Sequence, residues 1–188
     1  MKAKERKLKG VFKITLKPHQ DERGFFMRTY DDNIFAEYGI KREWVQENHS
    51  RSLQKGIIRG LHFQFPPFSE TKLIRAVRGE VLDVFVDLRK GSPTFGLWDS
   101  ITLSEENHVC AYIPRGFAHG FCTLTDFSEV VYKVDNYYSP KHEGGILWND
   151  KDLEIAWPEK NPVLSEKDSK NMTFKEFADK YKGIDVGM

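Results

Sequence analysis

An all-β sandwich or barrel is the fold class this sequence predicts, and three observations carry it. From about residue 11 to residue 138, short β-rich runs recur at regular spacing. Gly, Pro, Asp and Asn punctuate the gaps between them. No internal repeat or low-complexity linker interrupts the series, and 188 residues suit one domain, here 1–188.

In chain order, the first ten residues place Lys2, Lys4, Arg6, Lys7 and Lys9 among polar neighbours. With no apolar stretch they read as a solvated arm, neither a signal peptide nor a membrane anchor. Strands are expected over 11–16, 25–30, 44–48, 57–63, 72–77, 80–87, 98–103, 109–113, 117–124 and 129–134, where β-branched and aromatic residues gather. In Val81-Leu82-Asp83-Val84-Phe85-Val86-Asp87 the alternation is imperfect and Val and Phe dominate, as in a strand packed inside a sandwich. Lys90-Gly91-Ser92-Pro93-Thr94 reads as the turn that ends it.

Two short peripheral helices complete the expectation. Asp32-Asn33 caps one running through Tyr38, with Gly39 ending it; Thr173 caps another from Phe174 to Tyr181, with Gly183 beyond. The segment after residue 138 is expected to pack on the same domain.

Charge and cysteine usage narrow the partners. Lys and Arg number 29 and Asp and Glu 28, so no overall field marks a nucleic acid or a membrane as partner, and an anionic ligand must be gripped locally. No apolar run nears the roughly 20 residues of a membrane span. Cys110 and Cys122 sit in apolar strand-like runs 12 positions apart, without zinc-site spacing, and read as reduced core residues of a cytoplasmic protein.

Three polar groups fall where their surroundings predict strands: His62 in Arg59-Gly60-Leu61-His62-Phe63-Gln64, Lys72 in Glu70-Thr71-Lys72-Leu73, and His119 in Pro114 to Phe121. Titratable groups inside a barrel are costly unless paired or used, so spacing alone predicts a β-barrel with a polar lumen. No metal is expected, because the residue two past His62 is Gln64 and nothing beside His119 supplies a second His. His19, His49, His108 and His142 are scattered and read as superficial. A Gly-x-Ser-x-Gly elbow and a phosphate-cradling Gly-rich loop are both missing, and neither cysteine lies in a basic setting.

The words along the chain are more specific than this. Asp21-Glu22-Arg23-Gly24-Phe25-Phe26, Gln46-Glu47-Asn48-His49-Ser50, Ile58 to Gln64, Lys72-Leu73-Ile74-Arg75, Asp83 to Arg89, Ser92-Pro93-Thr94-Phe95-Gly96, Ile113 to Phe121, Tyr132-Lys133, Tyr137-Tyr138, Glu143-Gly144-Gly145-Ile146, Trp157-Pro158 and Ser165-Glu166-Lys167-Asp168 occur in order. Together they resemble the dTDP-4-dehydrorhamnose 3,5-epimerase family over about residues 10 to 168. The resemblance implies a cupin jelly roll that forms homodimers, uses no metal or organic cofactor, and acts on a nucleotide-linked 4-keto-6-deoxy sugar bound for rhamnose-like cell-surface glycans.

By that resemblance His62 is the base that takes the proton beside the C4 ketone, Asp168 orients it, Lys72 stabilises the enolate oxygen, and Tyr132 returns a proton from the opposite face. Arg23, Arg59 and Lys167 resemble diphosphate or sugar contacts. Gln46, Asn48, His119 and Glu143 resemble polar contacts to sugar, ribose or base, and Tyr138 resembles the aromatic that stacks on the base.

Two positions depart from the family pattern. Arg28 stands where a Glu is expected against the thymine, and Glu70 stands where a neutral residue is expected before the Lys. A guanidinium only donates, so Arg28 suits guanine or cytosine acceptors and suggests a GDP- or CDP-linked sugar, unless it pairs with Glu70 instead. The rival readings are inversion at C3 or C5 alone, and a non-catalytic cupin that binds a sugar nucleotide.

Overall fold

The imperfect alternation of the strands has a structural cause: many are buried on both faces. A computed structural model describes residues 1–187, so residue 188, the last of the expected domain, lies outside it. In chain order the elements are β1 (Lys2–Glu5), β2 (Phe12–Thr15), β3 (His19–Asp21), β4 (Gly24–Phe26), α1 (Asp32–Glu37), β5 (Gln46–Ser52), β6 (Ile58–Gln64) and β7 (Lys72–Arg78). They continue as β8 (Glu80–Asp87), β9 (Trp98–Ser104), β10 (Val109–Ile113), β11 (Phe117–Thr123), β12 (Ser128–Val134), β13 (Glu143–Gly145), a 3-10 turn at Asp168–Lys170 and α2 (Phe174–Tyr181).

Two antiparallel sheets face each other, ordered β1-β2-β10-β7-β12-β5 and β13-β6-β11-β8-β9, while β3 and β4 form a separate ribbon. This is the sandwich the strand pattern predicts and the jelly roll the resemblance implies, with two short helices outside it. Val81 and Phe85 of β8 enter the core between the sheets, with Ile74, Ala111, Ile113, Phe117 and Val130. Val84 and Val86 point the other way, into an outer cluster closed by Ile146, Leu153, Phe177 of α2 and Ile184. On the opposite outer face, Cys110 and Tyr112 of β10 pack with Phe35 of α1. Each fully buried Phe or Leu in these clusters contributes about 1.5–3 kcal/mol relative to exposure, so the segment after residue 138 is part of the domain's packing.

One polar knot ends β8. The Asp87 carboxylate is buried and accepts from Arg89 Nε at 2.9 Å and Nη2 at 2.7 Å, Ser92 Oγ at 2.7 Å and Thr94 Oγ1 at 2.6 Å. The Arg89 guanidinium lies 4.6 Å from the centre of the Phe117 ring. The turn expected at 90–94 is thus tied back onto the strand it follows.

Several limits differ from the expectation. The basic N-terminal segment is not a free arm: β1 pairs with β2 and Arg6 donates to Asp99 at 3.0 Å. The strand expected over 25–30 stops at Phe26, because β4 has only the three-residue β3 as partner. The cap of α1 is Asp31 rather than Asp32; its extended backbone lets the side chain accept from Ile34 N. The helix from Phe174 to Tyr181 has the limits expected, with a Thr173–Glu176 capping box and Lys182 in the left-handed region. Both cysteines are buried, and burial pushes the thiol of Cys110 up to about 12 and that of Cys122 to about 11.

Candidate active site

Two glycines set the spacing at which β6 crosses β11. Gly60 has φ +115°, and a Cβ there would lie 2.6 Å from both Gly120 Cα and His119 O; a Cβ on Gly120 would lie 2.6 Å from Arg59 O. This close approach holds His62 of β6 directly opposite His119 of β11. Leu61 and Phe63, flanking His62, belong to the outer apolar cluster. By strand alternation His62 therefore faces the lumen between the sheets.

The lumen opens as a cavity of about 430 Å³. His62, His119 and Phe121 line it from one sheet and Lys72, Ser50 and Tyr132 from the other. Arg59 lies on its rim, and Val163, Leu164, Ser165, Lys167 and Asp168 from the C-terminal segment complete the wall. That segment is held in place by backbone bonds from Ile58 N to Val163 O and from Val163 N to Gly56 O. Seven residues named from the sequence thus meet in one cavity: Arg59, His62, Lys72, His119, Tyr132, Lys167 and Asp168.

The polar groups of the wall come with carboxylate partners. His62 Nε2 lies 2.5 Å from Asp168 Oδ1, and Asp168 Oδ2 also accepts from Gly60 N at 3.3 Å. Burial pushes the Asp168 carboxyl up, but the His62 hydrogen bond and charge and the Gly60 amide outweigh it and leave the group below the usual carboxylate range. With Nε2–H donating to Asp168, the tautomer inferred for His62 leaves Nδ1 as a free lone pair.

His119 Nε2 likewise meets Asp83 Oδ1 at 2.6 Å. Full burial raises the Asp83 carboxyl above its ordinary value despite the charges of His119 and Lys72. The Lys72 ammonium pairs with Glu70 and lies 5.5 Å from the centre of the Tyr132 ring. Lys167 pairs with Glu143 at 2.5 Å. Arg59 differs: it donates to Ser52 Oγ and Arg51 O, each at 3.2 Å, and has no carboxylate partner among the described residues.

A second layer lies at the mouth. The Tyr138 hydroxyl donates to Glu143 Oε2 at 2.8 Å and the Tyr138 amide donates to Gln46 Oε1 at 2.8 Å, while the residue is 56% exposed, leaving it open to stacking. The hydrogen bond to Glu143 raises the Tyr138 phenol; burial pushes the Glu143 carboxyl up, but Lys167 and Tyr138 bring it below its ordinary value. Asn48 sits opposite Tyr132 in the β5–β12 register.

Arg23 and Arg28 are not brought into the cavity of this chain. Arg23 is exposed on the β3–β4 ribbon and bonded to Asp21. Arg28 donates to Asp31 at 3.1 Å and lines a separate hollow with Met1, Lys17, His19, Phe26 and Ile34. The expected alternative pairing of Arg28 with Glu70 is therefore wrong: each has another partner, and the reading of Arg28 as a guanine or cytosine contact loses its geometric basis within the chain. Asp83 is the site residue the sequence reading missed, although an acid inside Val-Leu-Asp-Val-Phe was the signal for it.

The arrangement can perform proton transfer next to a carbonyl. A base oriented by a carboxylate lies on one sheet, and a phenol and an ammonium lie on the facing sheet. Among the described residues, no three His, Cys, Asp or Glu side chains converge as a metal-binding set.

Comparison with known proteins agrees with this geometry. Residues 5–176 match the family model described as dTDP-4-dehydrorhamnose 3,5-epimerase. A protein of that name from Shigella flexneri is 54% identical over 155 residues, covering 82% of this chain and 85% of that one. The solved dTDP-4-dehydrorhamnose 3,5-epimerase of Bacillus anthracis, with TDP and PPi bound, superposes with a TM-score of 0.90 at 45% identity, covering 92% of this chain and 98% of that one. The structure of a dTDP-6-deoxy-D-glucose-3,5-epimerase from Legionella pneumophila in complex with dTDP-4-keto-L-rhamnose gives 0.87 at 41% identity, covering 92% of each chain.

Proposed function

The chain belongs to the dTDP-4-dehydrorhamnose 3,5-epimerase family, and from that premise we propose that it converts dTDP-4-keto-6-deoxyglucose to dTDP-4-keto-L-rhamnose with His62 as base, Asp168 as its orienter, Lys72 as enolate stabiliser and Tyr132 as acid. One observation carries the assignment: His62, paired with Asp168, and Tyr132 lie on opposite sheets of a single cavity.

The C4 ketone makes the flanking C–H bonds acidic only if the developing oxyanion is stabilised. His62 Nδ1 takes the proton from C5 or C3 as the C–H electron pair moves into the enolate, and Asp168 stabilises the imidazolium. The Lys72 ammonium faces the C4 oxygen. Tyr132 then gives its hydroxyl proton to the carbon from the opposite face, which inverts the centre. Exchange with solvent restores His62 and Tyr132, and the second carbon follows by the same steps. Acid, base and oxyanion partner are all side chains, so the proposed reaction needs no metal or organic cofactor.

Arg59, as the rim cation without a carboxylate partner among the described residues, is suited to the diphosphate, with Lys167 beside it. Tyr138 stacks on the base, and Gln46, Asn48, His119 and Glu143 supply polar contacts. The relatives' names point to thymidine, and with Arg28 engaged by Asp31 the guanine and cytosine alternatives are set aside. The proposal includes a cytoplasmic homodimer: Phe25 and Phe26 of the ribbon are 58% and 71% exposed and offer an apolar surface to a second copy. Such a dimer would also give Arg23 a site to reach in the partner.

The test is incubation with dTDP-4-keto-6-deoxyglucose in deuterated water, followed by NMR at C3 and C5. Deuterium at both carbons with formation of the L-sugar, lost in His62→Ala, is the expected outcome. Label at one carbon only would replace the reading with a mono-epimerase, and no label would overturn it.

A further inference from the structure

We propose that Glu70 is a positioning residue: it holds the Lys72 ammonium in the cavity and keeps it off the free oxygen of Asp83. The inference rests on the reading of Lys72 as the enolate's partner.

Glu70 is outside the cavity wall and Lys72 is in it. Their side chains are each 12% exposed, and one Glu70 oxygen accepts from the ammonium while the other accepts from Gln64 Nε2 at 3.0 Å. Gln64 is itself fixed, because its Oε1 accepts from Ser139 N at 2.7 Å and its Nε2 lies 3.0 Å from Phe68 O. Gln64 ends β6 and Lys72 begins β7, so this link ties the base-bearing sheet to the facing one.

Asp83, bonded to the cavity-lining His119, is a second anion beside the cavity. Asp83 spends Oδ1 on His119, and among the described residues its Oδ2 is buried without a hydrogen-bond partner; the Lys72 charge also favours its ionised form. A buried carboxylate oxygen without a donor attracts the nearest mobile cation. Lysine carries its charge on a flexible four-carbon stem, so with Glu70 neutralised the ammonium is drawn toward Asp83 and away from the C4 oxygen.

The test is a double-mutant cycle on kcat, with Glu70→Gln, Lys72→Ala and the double variant, alongside dTDP affinity by calorimetry. The proposal expects Glu70→Gln to lower kcat at least tenfold with dTDP affinity within twofold of wild type, and to add less than twofold in the Lys72→Ala background. A crystal structure of Glu70→Gln should show Lys72 turned toward Asp83. An unchanged kcat, losses that multiply in the double variant, or an unmoved Lys72 would each overturn it. A wild type that takes up no solvent deuterium at C3 or C5 would instead remove the epimerase reading, and this inference with it.

Discussion

His62 and Asp168 are 106 residues apart in sequence, and their side chains meet at 2.5 Å. The strand supplies the imidazole and the C-terminal segment supplies the carboxylate, so assembly of the base requires the chain to close over its own sandwich. Asp168→Asn keeps the size of the side chain but can present an N–H to Nε2 and favour the wrong tautomer. By analogy with other Asp–His pairs, kcat should fall by about 10²–10⁴-fold. Substrate KM should change little, since Asp168 serves the imidazole rather than the nucleotide. Steady-state kinetics with a coupled reductase would check both.

Tyr132→Phe separates proton removal from inversion. The base is untouched, so His62 should still exchange the substrate's protons with solvent, returning each to the face it left. Epimerised product should drop by about 10²–10⁴-fold, the usual contribution of a general acid. Equal loss of washout and product would show that the phenol takes part in both steps.

The knot at Asp87 predicts how the fold responds to acid. Burial pushes this carboxyl up, but hydrogen bonds from Arg89, Ser92 and Thr94 more than offset that and leave it below its ordinary value. A depressed folded pKa stabilises the protein above the unfolded value of about 3.9, and that stability is lost as pH falls through the folded value. Asp87→Asn leaves the Arg89 charge buried without its carboxylate, at a cost of about 3–5 kcal/mol. Its melting temperature at pH 7 should fall by roughly 10 °C, and the gap to wild type should shrink toward pH 3. Thermal melts of both proteins across that range would test it.

Much of this fold is legible in the sequence where local chemistry and tertiary pairing agree. The expected limits of β8, β10 and α2 match those observed, since short apolar runs and a Thr-Glu capping box act locally. β1 escaped notice because Lys2, Lys4 and Glu5 carry no strand signal, and its order comes from pairing with β2. β13, with two glycines in three residues, exists only as an edge added to β6. In the site, His62, Lys72 and His119 stand out as polar groups inside strands. Tyr132 and Asp168 look ordinary in isolation, and family resemblance is what singles them out. Asp83 was not read as a site residue because its pairing with His119, 36 residues away, is made only by the fold.

Arg59 should govern nucleotide affinity rather than chemistry. The other basic groups lining the cavity face carboxylates of their own, so a diphosphate must compete for them, whereas the Arg59 guanidinium gives up only neutral acceptors in Ser52 and Arg51. A charge-assisted hydrogen bond contributes about 1.5–3 kcal/mol, so Arg59→Ala should weaken dTDP binding by roughly 10–100-fold while kcat at saturating substrate falls far less. The salt dependence of binding should also flatten in the variant, because the lost contact is ionic. Calorimetric titration of dTDP at low and high salt would measure both effects, and a variant with unchanged affinity would shift the diphosphate contact to Lys167.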